Sequence, residues 1–92
     1  PPVNAITLLR SAVAVRAARR RARAARAALV AAAPGTGAVP RRYFAWAAAE
    51  DDVRDVALRA TELGVPASAM RLAGSIPLAT MERWLAEAEA TR

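Results

Sequence analysis

Leu63-Gly-Val-Pro-Ala-Ser-Ala-Met-Arg-Leu-Ala-Gly-Ser-Ile-Pro-Leu-Ala-Thr-Met-Glu-Arg-Trp-Leu85 is the stretch whose punctuation decides the architecture. Gly64, with Pro66 just beyond it, stops one helix. Gly74-Ser75-Ile76 breaks the chain again, and Pro77 opens a new helix because proline is favoured in a first helical turn. Ser75 or Ile76 is then expected at the cap position. In the helix beyond, Leu78, Met81, Trp84, Leu85 and Ala88 share one face, while Ala79, Glu82, Arg83 and Ala86 point the other way. Upstream, Val53, Val56, Ala57, Ala60 and Leu63 form an apolar face on a helix expected over 50–63. Glu50, Asp51 and Asp52 crowd its expected N-terminus, where the helix macrodipole favours negative charge.

Toward the N-terminus the pattern changes. Asn4 is the expected N-cap, and neither Gly nor Pro occurs from Ala5 to Ala33. Alanine and arginine dominate this run and are both strong helix formers, so a helix of about 30 residues and about 45 Å is predicted. Pro34-Gly35-Thr36-Gly37-Ala38-Val39-Pro40 ends it. Residues 41–49, with Tyr43, Phe44 and Trp46, are expected to form a short aromatic helix or turn packed on the C-terminal helices. The expected organisation is all-α: a long Arg/Ala-rich basic helix over 1–33, a Pro/Gly linker over 34–42 and a small helical domain over 43–92.

Composition narrows the functions. Of 92 residues 51 are apolar, but 27 of those are alanine and only four are aromatic, which leaves a thin core. A short chain with a thin core usually draws on disulfides, a metal or a partner subunit. Cysteine and histidine are both absent, which removes disulfides, Cys/His metal sites and catalysis by Ser-His-Asp or Cys-His sets. A homodimer is therefore expected, with the alanine face of the long helix offered to the partner subunit. A non-enzymatic binding module is expected, with no cofactor.

Charge is unevenly spread. Residues 1–42 hold nine arginines and no acid, whereas residues 43–92 hold five arginines and eight acids, for a net charge of +6 overall. Every cation is arginine, whose planar guanidinium forks onto phosphate and stacks on bases, although an Ala/Arg-rich chain without lysine also fits a GC-rich genome. On the long helix Arg16, Arg19, Arg20, Arg23 and Arg26 fall within an arc of about 120°. Opposite lies an alanine face that includes Ala18, Ala22, Ala25 and Leu29, with Ile6, Val13, Ala17 and Ala24 beside it. Like charges this close repel unless an anion neutralises them, and phosphates do so with steep salt dependence. Arg41, Arg42 and Arg71 are candidates to extend the same phosphate-binding surface, beside an aromatic pair that fills the core or stacks on bases.

Residues 53–85 resemble the helix-turn-helix DNA-binding domain of small bacterial and phage regulators. The resemblance rests on Leu63-Gly64-Val65 ending a support helix, Ala73-Gly74 at the turn, Thr80-Met81 as a small-then-core pair, and Arg83-Trp84-Leu85 at the end. It departs in one extra turn residue, Ser75, and in the paucity of hydrogen-bond donors at Pro77, Leu78, Ala79 and Thr80. The resemblance implies a second helix lying in a major groove, with Ala79, Thr80 and Arg83 as base-reading candidates. Duplex DNA is thus the expected partner, bound by a small transcriptional regulator or a phage or plasmid DNA-handling factor. Arginine-rich RNA binding and docking on an acidic protein remain open alternatives.

Other constellations fall away. Pro34-Gly35-Thr36-Gly37 has the glycines of a phosphate loop but lacks its lysine. The acids at 50, 51, 52 and 55 are better placed at a helix N-terminus than around magnesium. An interfacial membrane helix over 4–33 would insert weakly with an alanine face, so no membrane partner is expected. The opening Pro1-Pro2-Val3 lacks a basic signal-peptide start and no apolar run approaches about 20 residues, so a cytoplasmic location is expected.

Overall fold

In the computed structural model, which describes residues 3–92, Asn4 caps α1 (Ala5–Val30) as the sequence predicts. Its side-chain oxygen accepts the Thr7 backbone N–H at 2.8 Å, satisfying one of the four orphan donors of a helix start. Pro1 and Pro2 of the opening lie outside the described residues. With 26 residues α1 is about 39 Å long, somewhat shorter than the run from Ala5 to Ala33 suggests.

The expected linker and the two helices after it are organised differently. α2 (Ala38–Glu62) is one helix of 25 residues, so residues 41–49 and 50–62 are continuous and the reversal is confined to 31–37. Gly35 and Gly37 adopt φ of 78° there, a left-handed conformation that costs glycine little. Pro40 sits in the first turn of α2, where its missing N–H has no helical partner to lose. Between Pro40 and Gly64 nothing breaks a helix, and the acids at 50–52 are mid-helix residues rather than a start signal.

Two matching turns complete the chain's reversals. At the end of α2, Gly64 takes φ of 93°, and the N–H groups of Val65 and Gly64 donate to the carbonyls of Ala60 (3.1 Å) and Thr61 (3.0 Å). This is the paired bonding of a Schellman cap. α3 (Ala67–Ala73) ends the same way: Ile76 donates to Arg71 at 2.9 Å and Ser75 to Leu72 at 3.4 Å. Here the left-handed residue is Ser75, at φ of 50°, not Gly74. The extra turn residue is therefore the one that closes the cap. Gly74 serves a different need, because a Cβ on it would meet Val15 Cγ2 at 2.9 Å. α4 (Leu78–Ala90) starts behind Pro77, one or two residues beyond the expected Ser75 or Ile76, with no side-chain cap bond.

The core is contributed by all four helices and the turns. Val15, Ala18 and Ala22 of α1 meet Val53, Ala57 and Ala60 of α2, with Val65, Met70, Ile76, Met81 and Trp84 closing the far side. Small side chains on α1 and α2 let the helices approach closely, which compensates for few large apolar groups. The alanine face expected to await a partner subunit is thus occupied within the chain, and α1 is part of the domain rather than an appendage. Leu63 and Leu78, expected on the buried faces, are exposed. No residue from Arg23 to Asp52 is buried, so the tip of the α1–α2 hairpin stands off the core as an arm on a molecule of 53 × 28 × 18 Å. Among the described residues there is no strand, and no helix is long and apolar enough to cross a membrane.

Candidate nucleic-acid interface

Where the arm joins the body, α1, α2 and the start of α4 enclose an open cleft of about 680 Å³. α1 lines it with Arg19, Arg23 and Arg26, α2 with Trp46, Glu50, Asp51 and Arg54, and α4 and the turn before it with Ser75, Pro77, Thr80, Arg83 and Glu87. Of the residues expected to bind nucleic acid, the fold therefore gathers Arg19, Arg23, Arg26, Thr80 and Arg83. Ala79 is exposed on the first turn of α4 but outside the cleft lining. Arg16 and Arg20 are exposed on α1, Arg41 and Arg42 are exposed at the start of α2, and Arg71 is half-buried on α3.

Arg19 does not have the role expected of it. Its Nε donates to the Gly74 carbonyl at 2.7 Å, and its Nη1 reaches both Glu50 carboxylate oxygens at 3.1 and 3.2 Å. Glu50 Oε1 also accepts the Trp46 indole N–H at 3.2 Å. With its side chain only 14% exposed, Arg19 is a brace tying α1, α2 and the α3–α4 turn together, not a free phosphate ligand. The reason is position: it lies within about 60° of the buried Val15 and Ala22 and level with them along α1, whereas Arg26 lies beyond Ala22, the last buried residue of that helix.

The remaining charges sort by partner. Arg54 lies 3.7 Å from Asp51 and 3.5 Å from Asp55, and Arg83 lies 3.8 Å from Glu87 one turn on. Exposed pairs of this kind are worth about 0–1 kcal/mol, so Arg83 is easily released to another acceptor. Arg23 and Arg26 pair with no carboxylate among the described residues. No three carboxylates among those residues gather closely enough to hold a metal ion. The cleft thus offers two guanidiniums from α1 that are free among the described residues and one loosely held on α4, with Thr80 also in its lining.

The sequence pattern missed Trp46, Glu50, Asp51 and Arg54 as cleft residues. Their signal was the i, i+4 relation of Trp46 with Glu50 and of Glu50 with Arg54, legible only on an unbroken helix. The aromatic pair is corrected as well. Tyr43 and Phe44 are 51% and 70% exposed rather than packed on the C-terminal helices. On a continuous α2, Phe44 lies about 180° around the helix from the buried Val53. No family model, curated protein or solved structure matches this chain.

Proposed function

We propose that this protein binds duplex DNA, placing the first turns of α4 in a major groove while α1 grips the adjoining phosphates. The observation that carries this is the convergence of Arg23 and Arg26, unpaired among the described residues, with Thr80 and Arg83 on one open cleft. A helix-turn-helix places its second helix in the groove, and phosphate contacts from a neighbouring element set its register. Arg83 is the side chain suited to a guanine edge, and Arg16 and Arg20 extend the basic face of α1 toward the backbone. In biological terms this is a small transcriptional regulator or a phage- or plasmid-type DNA-handling protein.

The test is a salt titration of binding to a random-sequence duplex. Each phosphate contact contributes about 0.9 to the slope of log affinity against log salt, so Arg23→Ala with Arg26→Ala should flatten it by about 1.8. Arg83→Ala should instead cost roughly 1–3 kcal/mol on a selected site and little on random sequence. Absence of binding even at low salt refutes the proposal and redirects the search to an acidic protein partner. Self-association, if it accompanies binding, we place on the outward Ile6, Leu9 and Val13 of α1, and a monomer in sedimentation equilibrium at the highest attainable concentration refutes it.

A further inference from the structure

The arm has no role in the core, and its chemistry is that of a polyanion contact. Only half-buried small residues and Leu29 and Trp46 close the hairpin between Arg23 and Ala49, so burial does not account for its length. Arg26, Arg41 and Arg42 lie on it, and no carboxylate precedes Glu50 in the chain. All three are exposed and none is in an ion pair among the described residues. They are therefore free to meet an outside anion.

The aromatic residues add direction. Tyr43 stands edge-on to both Phe44 (ring centres 5.9 Å apart) and Trp46 (6.0 Å). Since Trp46 lines the cleft, these rings lead from the cleft around α2 to its outward face. Phe44 stands there as an exposed ring close in sequence to two arginines, the chemistry that meets sugar and base edges beside phosphates. The molecule's long axis of 53 Å matches about 16 base pairs at roughly 3.4 Å each.

We propose that the hairpin tip is a second duplex-DNA contact beyond the α4 cleft, with Arg41 and Arg42 on phosphates and Phe44 against a sugar or base edge. This rests on the DNA-binding function proposed above. The experiment uses the full chain and a random-sequence duplex of about 24 base pairs, longer than the protein's own axis. Arg41→Gln/Arg42→Gln and Phe44→Ala alter exposed positions only, and circular dichroism is the check that both variants stay folded.

The double arginine variant should flatten the salt slope by about 1.8 and shorten the hydroxyl-radical footprint at one end. Phe44→Ala should weaken binding several-fold with the slope unchanged. If the wild type binds but the double variant keeps its slope and footprint, the arm is not a contact and the α4 cleft alone accounts for binding. If the wild type binds no duplex, both proposals fall together. Displacement of the duplex by a hairpin RNA at equal phosphate concentration overturns the assignment of the arm to duplex DNA.

Discussion

Replacing Gly74 by alanine tests the packing at the centre of the fold. Gly74 has φ of −94°, outside the left-handed region that favours glycine, so the substitution carries little backbone penalty. The added Cβ would lie 2.9 Å from Val15 Cγ2 and 3.1 and 3.2 Å from Ile76 Cδ1 and Cγ1. Carbon–carbon contacts are best at about 3.5–4.0 Å, so the closest overlap is about 0.6 Å. Val15 is fully buried on a helix, and its β-branched side chain has one strongly preferred rotamer there, so it cannot swing aside. Overpacking of this kind costs typically 1–3 kcal/mol, offset by roughly 0.4–1 kcal/mol from a less flexible unfolded chain. The expected net loss is about 1.5 kcal/mol, which for a domain of this size lowers Tm by roughly 6–12 °C. Thermal and urea unfolding followed by circular dichroism measure it. Val15→Ala removes the clashing methyl. Although it should cost about 2 kcal/mol alone, the double variant should be less destabilised than the sum by about 1 kcal/mol. An unchanged or higher Tm for Gly74→Ala, or simple additivity in the double variant, refutes the close-approach explanation.

The turns, the brace and the arm give three further expected outcomes. Ser75→Gly relieves a left-handed residue at φ of 50° and should raise stability by about 0.5–1 kcal/mol; a loss in urea unfolding would mean the hydroxyl matters more than the backbone. Arg19→Met should cost about 2 kcal/mol of stability while leaving the DNA salt slope intact. Arg19→Lys should recover less than half, because an ammonium cannot span a carbonyl and both carboxylate oxygens. A slope reduced by about 1 in Arg19→Met would show a phosphate contact instead. In hydrogen exchange, backbone amides between 26 and 46 should exchange roughly a hundredfold faster than those of 53–60, because opening the arm exposes no buried side chain. Equal protection along α2 would contradict that.

Local signals in the sequence carry much of the fold. Asn4 and Gly64 are caps whose partners lie within a few residues, and the spacing of Ala18 with Ala22 and of Val53, Ala57 and Ala60 marks buried faces on its own. Where local signals compete, spacing alone does not rank them. Three acids in a row resemble a helix start, but the unbroken run of helix formers on both sides overrides them, and Glu50 finds its cation 31 residues earlier in Arg19. By residue type Gly74 is the one suited to permit the turn, whereas Ser75 takes the left-handed conformation and Gly74 makes room for Val15. The candidate site is legible to the same extent. Spacing places five arginines on one face of α1, yet only contacts remote in sequence distinguish the braced Arg19 from the free Arg23 and Arg26. The exposure of Phe44 is hidden by the supposed break before Glu50, since its direction depends on the phase of one continuous helix.

The absence of any buried side chain in the arm also bears on the order in which the chain folds. A helical hairpin ordinarily gains by zipping from its loop, since the nearest contacts close the shortest loops. Here the segments next to the 31–37 reversal bring only half-buried, mostly small apolar side chains to such a start. The first rewarding encounter joins Val15, Ala18 and Ala22 to Val53, Ala57 and Ala60, which closes a loop of more than 30 residues. Substitutions at those six positions should therefore slow folding, whereas substitutions in the arm should act on unfolding or on neither rate.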